Sequence, residues 1–444
     1  MILCGMSELT ITPVLGSVIP GYYHIRHATL ILDDLYAKAI VFDDGNTSIA
    51  AVSVDMICIT PEQTEAIRFR AHRLTSIPRE NITVSATHTI TGGPSVDWSK
   101  EMLADPAYVA YFTARAADAI VIAFNNRKLC EIGWGLGRQT QLSFNRRYLM
   151  SDGTVMTNPG ACRNRIVQPD GPIDPEIGII RIDDYNGDPV GLIVNFACHL
   201  DTVGGSAVSA DYTGQLSQQL KSKLGQEFIC LFLLGACGDV NHIDFMSEGN
   251  VHPEHYKWMG QELSTSVYKA WSCVAVSEVK SISFASNTIK LHRRAPSDIQ
   301  QQEAKHLLLA TEYDKEKLTA FDALQIDRFY AECISQIASD PGWSNPVQLE
   351  IQAFRIGGMA LLSIPGEYFA EFGLSLKAKS QFPFTLINTQ ANGNFGYIPT
   401  ERAFRTGGFE PRLCHWSFLE EGAGRLIEDE AIRLLNTLYD NKGE

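Results

Sequence analysis

Three residues stand where short apolar runs end, and their types suit one chemistry. His88 follows Thr83-Val-Ser-Ala-Thr87, His199 follows Ile193-Val-Asn-Phe-Ala-Cys198, and Glu367 follows Leu361-Leu-Ser-Ile-Pro-Gly366. Imidazole nitrogen and carboxylate oxygen are the donors of open divalent-metal sites; a catalytic zinc ion typically takes about three of them and leaves a position for water. The spacing is long-range, so the fold has to bring the three together. The competing reading is that each histidine simply hydrogen-bonds its surroundings and that Pro-Gly-Glu is an ordinary turn. Among the other histidines, His242 is a further candidate, because it follows Gly238-Asp-Val-Asn241. His24, His27, His252 and His255 read as structural or surface residues.

Other chemistries are disfavoured. There is no GxSxG elbow to present a serine nucleophile, and no P-loop. Gly133, Gly135 and Gly137 recur with period two, which suits a strand rather than a phosphate-cradling turn. The ten cysteines form no CxxC pair, and none stands at a helix start beside a basic residue. Reduced thiols are therefore expected, not disulfides or a thiolate nucleophile.

The elements that must hold the candidate residues alternate between strands and helices. Residues 37–42 and 48–54 read as a hairpin around Asp43-Asp44-Gly45-Asn46. Residues 60–76 read as a helix opened by Thr60-Pro61-Glu62, 82–86 as a buried strand running out to His88, and 106–125 as a second helix. After a turn-rich stretch at 142–159, residues 177–182 and 190–197 read as a strand pair, the second running out to His199. Residues 214–224 are helical, and 228–234 form a strand ending in Gly235-Ala-Cys-Gly-Asp-Val-Asn241. A helical pair follows at 297–310 and 317–338, opened by a Ser297-x-x-Gln300 capping box. The strand at 359–363 runs into Glu367, the helix at 370–380 follows, and the strand at 384–389 runs into a Gly/Asn-rich loop. Four apolar strands thus end in polar loops, at Thr87-His88, His199-Leu-Asp201, Gly238-Asp239 and Glu367. In open α/β sheets, ligand sites form at such strand ends.

The 444 residues carry 37 Lys and Arg against 51 Asp and Glu, a net charge of −14, and are 45% hydrophobic. That composition builds a sizeable core. The charge argues against a nucleic-acid or anionic-membrane partner. The most apolar stretches read as shorter than the ~20 residues a membrane-spanning helix needs. The N-terminal segment has neither a basic region nor a long apolar run, so a secretory leader is not expected and a cytoplasmic location is.

Further segments complete a pattern: Ile11-Thr-Pro-Val-Leu-Gly16 with Gly21-Tyr22, Ser85-Ala-Thr-His-Thr89 with Gly92-Gly-Pro94, Asn145-Arg146 with Asn158-Pro159, and Asn195-Phe-Ala-Cys-His199. Ser209-Ala-Asp211 with Gly214, Gly238-Asp-Val-Asn241, Pro365-Gly-Glu367 and Gly396-Tyr-Ile-Pro-Thr-Glu401 follow. In this order they resemble the N-terminal catalytic domain of the neutral/alkaline ceramidases, a zinc amidohydrolase family. The resemblance implies an α/β (α+β) fold, with a large mixed β-sheet flanked by helices. It implies one catalytic domain over residues 1–444, with a helical insertion at about 296–340 and without the family's C-terminal immunoglobulin-like domain. It further implies one Zn²⁺ per chain, bound by His88, His199, Glu367 and Tyr397, and attack of zinc-activated water on the scissile carbonyl. Arg146 or Asn241 would hold the substrate or the developing oxyanion, and Asp211 and Asp239 would orient the metal-binding imidazoles.

Two departures shape the substrate expectation. Ile90 stands where the family has the second His of "THTH", and Asn241 stands where "GDVSPN" has its Ser, followed by His242-Ile243. An amide cannot accept a proton from water as a hydroxyl can, so that work falls to His242 or a carboxylate. The expected protein is a zinc-dependent hydrolase acting on an amide or ester-type bond of a small soluble molecule, carbohydrate-derived compounds included. No nucleic-acid partner or stable membrane association is expected, and a homo-oligomer is compatible with the sequence. The competing readings are a genuine ceramidase and a non-catalytic metal- or ligand-binding relative.

Overall fold

The computed structural model describes residues 1–247 and 251–440. Its larger sheet has eight strands: β1 (Ile2–Thr10), β2 (Tyr36–Asp43), β3 (Ser48–Val54), β4 (Ile82–Ala86), β5 (Lys128–Arg138), β6 (Glu176–Asp184), β7 (Pro189–Phe196) and β8 (Ile229–Leu234). Their order is β8-β7-β6-β5-β1-β2-β3-β4. The inner pairings are antiparallel, whereas the pairs at the two edges, β7/β8 and β3/β4, are parallel. A second sheet, in chain order, is built from β9 (Ile282–Leu291), β10 (Val347–Ile356), β11 (Met359–Ser363) and β12 (Phe384–Asn388), with β11/β12 parallel.

Each parallel pair needs a crossover, and each crossover is a helix. These are α1 (Pro61–Thr75) between β3 and β4, the helix Asp211–Leu224 between β7 and β8, and the helix Ala370–Lys379 between β11 and β12. In α1 the Thr60 hydroxyl accepts from Gln63 N while Gln63 Oε1 accepts from Thr60 N, a reciprocal cap worth about 1 kcal/mol.

Period-two alternation sorts the strand residues into layers. In β6, Ile177 and Ile179 face the helices, whereas Ile180 and Ile182 pack towards the second sheet against Phe354, Leu361 and Leu386. The far face of the second sheet is covered by helices Ala370–Lys379 and Ala423–Asp440. The result is four layers, helix–sheet–sheet–helix.

This arrangement agrees with the expected large mixed sheet flanked by helices, with local differences. The helix read at 214–224 begins at Asp211. The helix read at 317–338 is broken at Phe321, which takes φ 57, and the Asp322 carboxylate starts a new helix by accepting from Gln325 N. Helix Pro106–Asn125 is, by length and composition, apolar enough to cross a membrane, contrary to the reading that no stretch qualifies. Phe112, Ala116, Ala119, Ile120 and Ala123 of that helix lie in the core against the large sheet. The three alternating glycines do lie in a strand, and a side chain at Gly133 would meet Ala275 O at 2.2 Å. All ten cysteines are free.

Candidate metal centre

The carboxyl ends of the three parallel pairs meet. Thr389, just past β12, donates its N–H to Leu234 O at the end of β8, and Ala86 at the end of β4 donates to Gln390 O. His88, His199 and Glu367 lie in the loops leaving β4, β7 and β11, which delivers them to the same place.

Each is fixed by backbone contacts from a neighbouring loop. His88 adopts φ 70, a left-handed conformation that costs an L-residue roughly 1–2 kcal/mol. Its N–H bonds to Met56 O at 2.9 Å and its Nδ1 to Ile57 O at 2.5 Å, both from the loop after β3. His199 Nδ1 bonds to Val240 O at 2.9 Å. Glu367 donates its N–H to Gly396 O at 2.8 Å, and the preceding Gly366, with φ 85, leaves room for that contact: a Cβ there would sit 2.7 Å from Gly396 O.

A carbonyl only accepts, so both Nδ1 atoms carry the proton, and the lone pair of each neutral ring is on Nε2. Both Nε2 atoms face Glu367 Oε2, His199 at 3.0 Å and His88 at 3.3 Å. The rings stand 4.9 Å apart at 71°, and one donor atom from each of the three residues lies within 4.8 Å of the others. All three side chains are buried. Burial alone would raise Glu367, yet the two imidazoles hold its carboxyl well below the usual range. His199 is lowered to about 4 by burial and by Arg146. For His88, burial lowers the pKa, but Glu367 outweighs it and the net shift is upward. An ionised carboxylate and an imidazole kept neutral, with tautomers already set, are the states that cation binding requires. The three residues therefore fit a divalent ion.

Arg146 and Tyr397 adjoin this trio. Residues Glu367–Tyr368 pair in parallel with Tyr397–Ile398, so Tyr397 is the direct cross-strand neighbour of Glu367. Its hydroxyl accepts from Arg146 Nη2 at 3.0 Å, and burial pushes its phenol pKa well up. Arg146 Nη2 also donates to Gly238 O, and Nε donates to Glu410 Oε1 at 2.8 Å. Glu410 is wholly buried and holds Arg147 through its other oxygen.

The remaining predicted residues do not join the cluster. Asp211 and Asp239 make no hydrogen bond to either imidazole; backbone carbonyls do that orienting. Asp211 instead binds the N–H groups of Thr202 and Val203, fixing the loop after His199, and Asp239 binds Ala370 N and Asn145 Nδ2. Burial raises both carboxyls to about 6. Asn241 donates to Asn158 Oδ1 and accepts from Ile243 N, so it meets the cavity only through Asn158. His242 lies outside the cavity lining, packed against His255 at 5.0 Å, and its pKa is lowered to about 3 by burial and then by His255.

The trio forms the floor of a 430 Å³ cavity. Arg146, Asn158 and Asp201 line its polar side, and Tyr22, Tyr23, Trp98, Phe409 and Trp416 its aromatic side. Phe321 and Ile326 also line it. Sequence reading did not single out Glu410, Trp98 or Trp416 for this site; each lies in an irregular segment with no periodic signal. Asp201 was visible only as a polar residue near His199.

No protein-family model matches the chain. Its fold is similar to that of the neutral ceramidase from Pseudomonas aeruginosa, with TM-score 0.75 and 17% sequence identity over 99% of this chain and 74% of that one. It is also similar to a ceramidase complexed with C2, with TM-score 0.73 and 16% identity over 99% of this chain and 75% of the other. The ceramidase-like resemblance read from the motifs thus holds at the level of the fold.

Proposed function

We propose that this protein is a metal-dependent hydrolase that cleaves an amide bond in a small soluble substrate. The observation carrying this reading is the convergence of His88 Nε2, His199 Nε2 and Glu367 Oε2 on the floor of an aromatic-walled cavity. The ceramidase-like fold supports amide chemistry, and two histidines with a carboxylate suit zinc, with manganese and iron as rivals.

A bound divalent ion supplies Lewis acidity and a water of lowered pKa. The chain's own residues do the rest. His88, His199 and Glu367 would hold the ion, with Tyr397 beside Glu367 as the fourth candidate ligand. Arg146, clamped by Glu410 and Gly238 O, is a fixed cationic donor on the cavity wall and would stabilise negative charge developing on the substrate carbonyl. The Tyr397 hydroxyl accepts from Arg146, which leaves its own proton free to donate. Asn158, held by Asn241, offers a further polar contact.

A 430 Å³ cavity suits a compact molecule, within the ~300–1,000 Å³ of small-molecule sites. The net charge of −14 supports a soluble substrate over one presented on an anionic membrane. The test is a panel of short N-acyl compounds and a fluorescent short-chain ceramide, assayed with the zinc-loaded protein and with His88→Ala. Metal-dependent release of amine from the soluble amides, abolished in the variant, is the expected result. Turnover of ceramide alone would replace the substrate assignment, and no turnover of any amide would remove the hydrolase reading.

A further inference from the structure

One carboxylate in this cavity has no task in the hydrolytic reading. Asp201 lies two residues beyond His199, lines the chamber, and is solvent-exposed within it. It makes no hydrogen bond or ion pair among the described residues. The nearby cations are committed elsewhere. Arg146 is held by Glu410, Gly238 O and Tyr397. Arg26 donates to Pro20 O, Ile90 O and Gly205 O and stacks on Tyr22 at 3.7 Å. An exposed carboxylate in a cavity with no ion-pair or hydrogen-bond partner of its own is open to a ligand that brings a positive charge.

The wall beside Asp201 is a continuous run of aromatic rings. Tyr22 meets Phe321 edge-on at 5.8 Å, Tyr23 meets Phe321 and Trp416 at 6.2 Å each, and Trp98 stacks on Trp416 at 5.2 Å. Tyr22 and Asp201 line the same cavity. Aromatic faces around a carboxylate that has no ion-pair partner are the receptor chemistry for an ammonium group. A neutral sugar ring would use the faces and donate hydroxyls to Asp201, but it brings no positive charge. An anionic substrate would be repelled by Asp201.

We propose that the substrate is an N-acyl compound carrying a cationic amine, with the ammonium group received by Asp201 against the aromatic wall and the amide lying over the His88, His199 and Glu367 floor. This assignment rests on the hydrolase reading of the same cavity. It makes Asp201 the specificity-determining residue.

The test uses two probes of equal length, N-(4-aminobutyl)acetamide with an ammonium group and N-pentylacetamide with a methyl group in its place. Binding is followed by quenching of tryptophan fluorescence in the full-length zinc-loaded protein, its Asp201→Asn and Asp201→Glu variants, and His88→Ala. The cationic probe is expected to bind at least tenfold more tightly than the neutral one, with the preference shrinking at high salt. Asp201→Asn, with an unchanged melting curve, should abolish the preference, and Asp201→Glu should restore part of it. Equal binding of the two probes to the unmodified protein would overturn the proposal. So would a preference that survives in Asp201→Asn, or no binding of either probe at millimolar concentration. The hydrolase reading fails separately: the ammonium preference would persist, but no metal-dependent amine release would accompany it, and His88→Ala would behave as the unmodified protein does in both respects.

Discussion

Replacing Glu410 by Gln tests whether the arginine clamp over the site depends on a buried counter-charge. Glu410 is fully buried; Oε1 binds Arg146 Nε at 2.8 Å, and Oε2 binds Arg147 Nη1 and Thr157 Oγ1, both at 2.9 Å. An amide of the same shape accepts at one end only, so its NH₂ must face one of the two guanidiniums, donor against donor. Removing one partner of a buried ion pair costs about 3–5 kcal/mol. Arg147 keeps Asp170 at 3.1 Å, so the lower end, about 3 kcal/mol, is expected. For a chain of this length the unfolding entropy converts each kcal/mol to only about 1 °C, so urea denaturation is the more sensitive assay. Hydrolysis should fall by roughly 10²-fold or more, the loss typical for one oxyanion donor, while metal content is retained.

The effect has a defined pH dependence. Burial raises the Glu410 pKa, but Arg146 and Arg147 outweigh it and hold the carboxyl below its usual value. A depressed folded-state pKa means that the stabilisation is complete above the unfolded value near ~4.3 and is lost as pH falls through the folded one. The stability gap between the native protein and Glu410→Gln should therefore be full at neutral pH and close in acid. A gap under about 1 kcal/mol at neutral pH, against the 3–5 kcal/mol of a broken buried pair, would refute the reasoning.

Three further outcomes follow from the same geometry. Gly238→Ala would place a Cβ 2.4 Å from Glu367 O, so the backbone carrying the carboxylate must move; a 10–100-fold loss of metal affinity is expected, read by competition with a chelating dye. Thr60→Ala removes the side-chain cap of α1 and should cost about 1 kcal/mol in urea, while the backbone contacts of Met56 O and Ile57 O to His88 remain, so metal content should be retained. His88, whose pKa Glu367 raises against burial, must lose its proton when a cation binds, so metal uptake should release protons and weaken as pH falls through the raised value, as calorimetry in buffers of different ionisation enthalpy would detect.

The floor of the site was legible because its residues sit where the chain announces itself. Apolar runs such as 193–198 read as buried strands, and the polar residue that ends each one has little freedom in where it goes. Parallel pairing then brought three such ends together, which pattern alone did not show. The orienting partners were not legible: Ile57 O and Val240 O are backbone atoms, and any residue type supplies them. Asp211 and Asp239 looked like the natural partners of imidazole, but a carboxylate beside unsatisfied backbone N–H groups is taken by them first. Glu410 and Trp416 come from an irregular segment whose packing is decided by tertiary contact. Strand β1 escaped notice because Cys4 and Met6 alternate with residues buried on the other face, which leaves no polar–apolar rhythm to read. The break at Phe321 interrupts an otherwise continuous helical pattern, and only the Asp322 cap marks it.

The central claim is that His88, His199 and Glu367 form one metal site. Its most direct test is elemental analysis of the purified protein after equilibration with zinc and removal of excess metal, alongside His88→Ala, His199→Ala and Glu367→Gln. The account predicts one equivalent of divalent ion per chain in the unmodified protein and a loss of most of it in each folded variant. An unmodified protein that takes up no ion, or three variants that all retain a full equivalent, would contradict it.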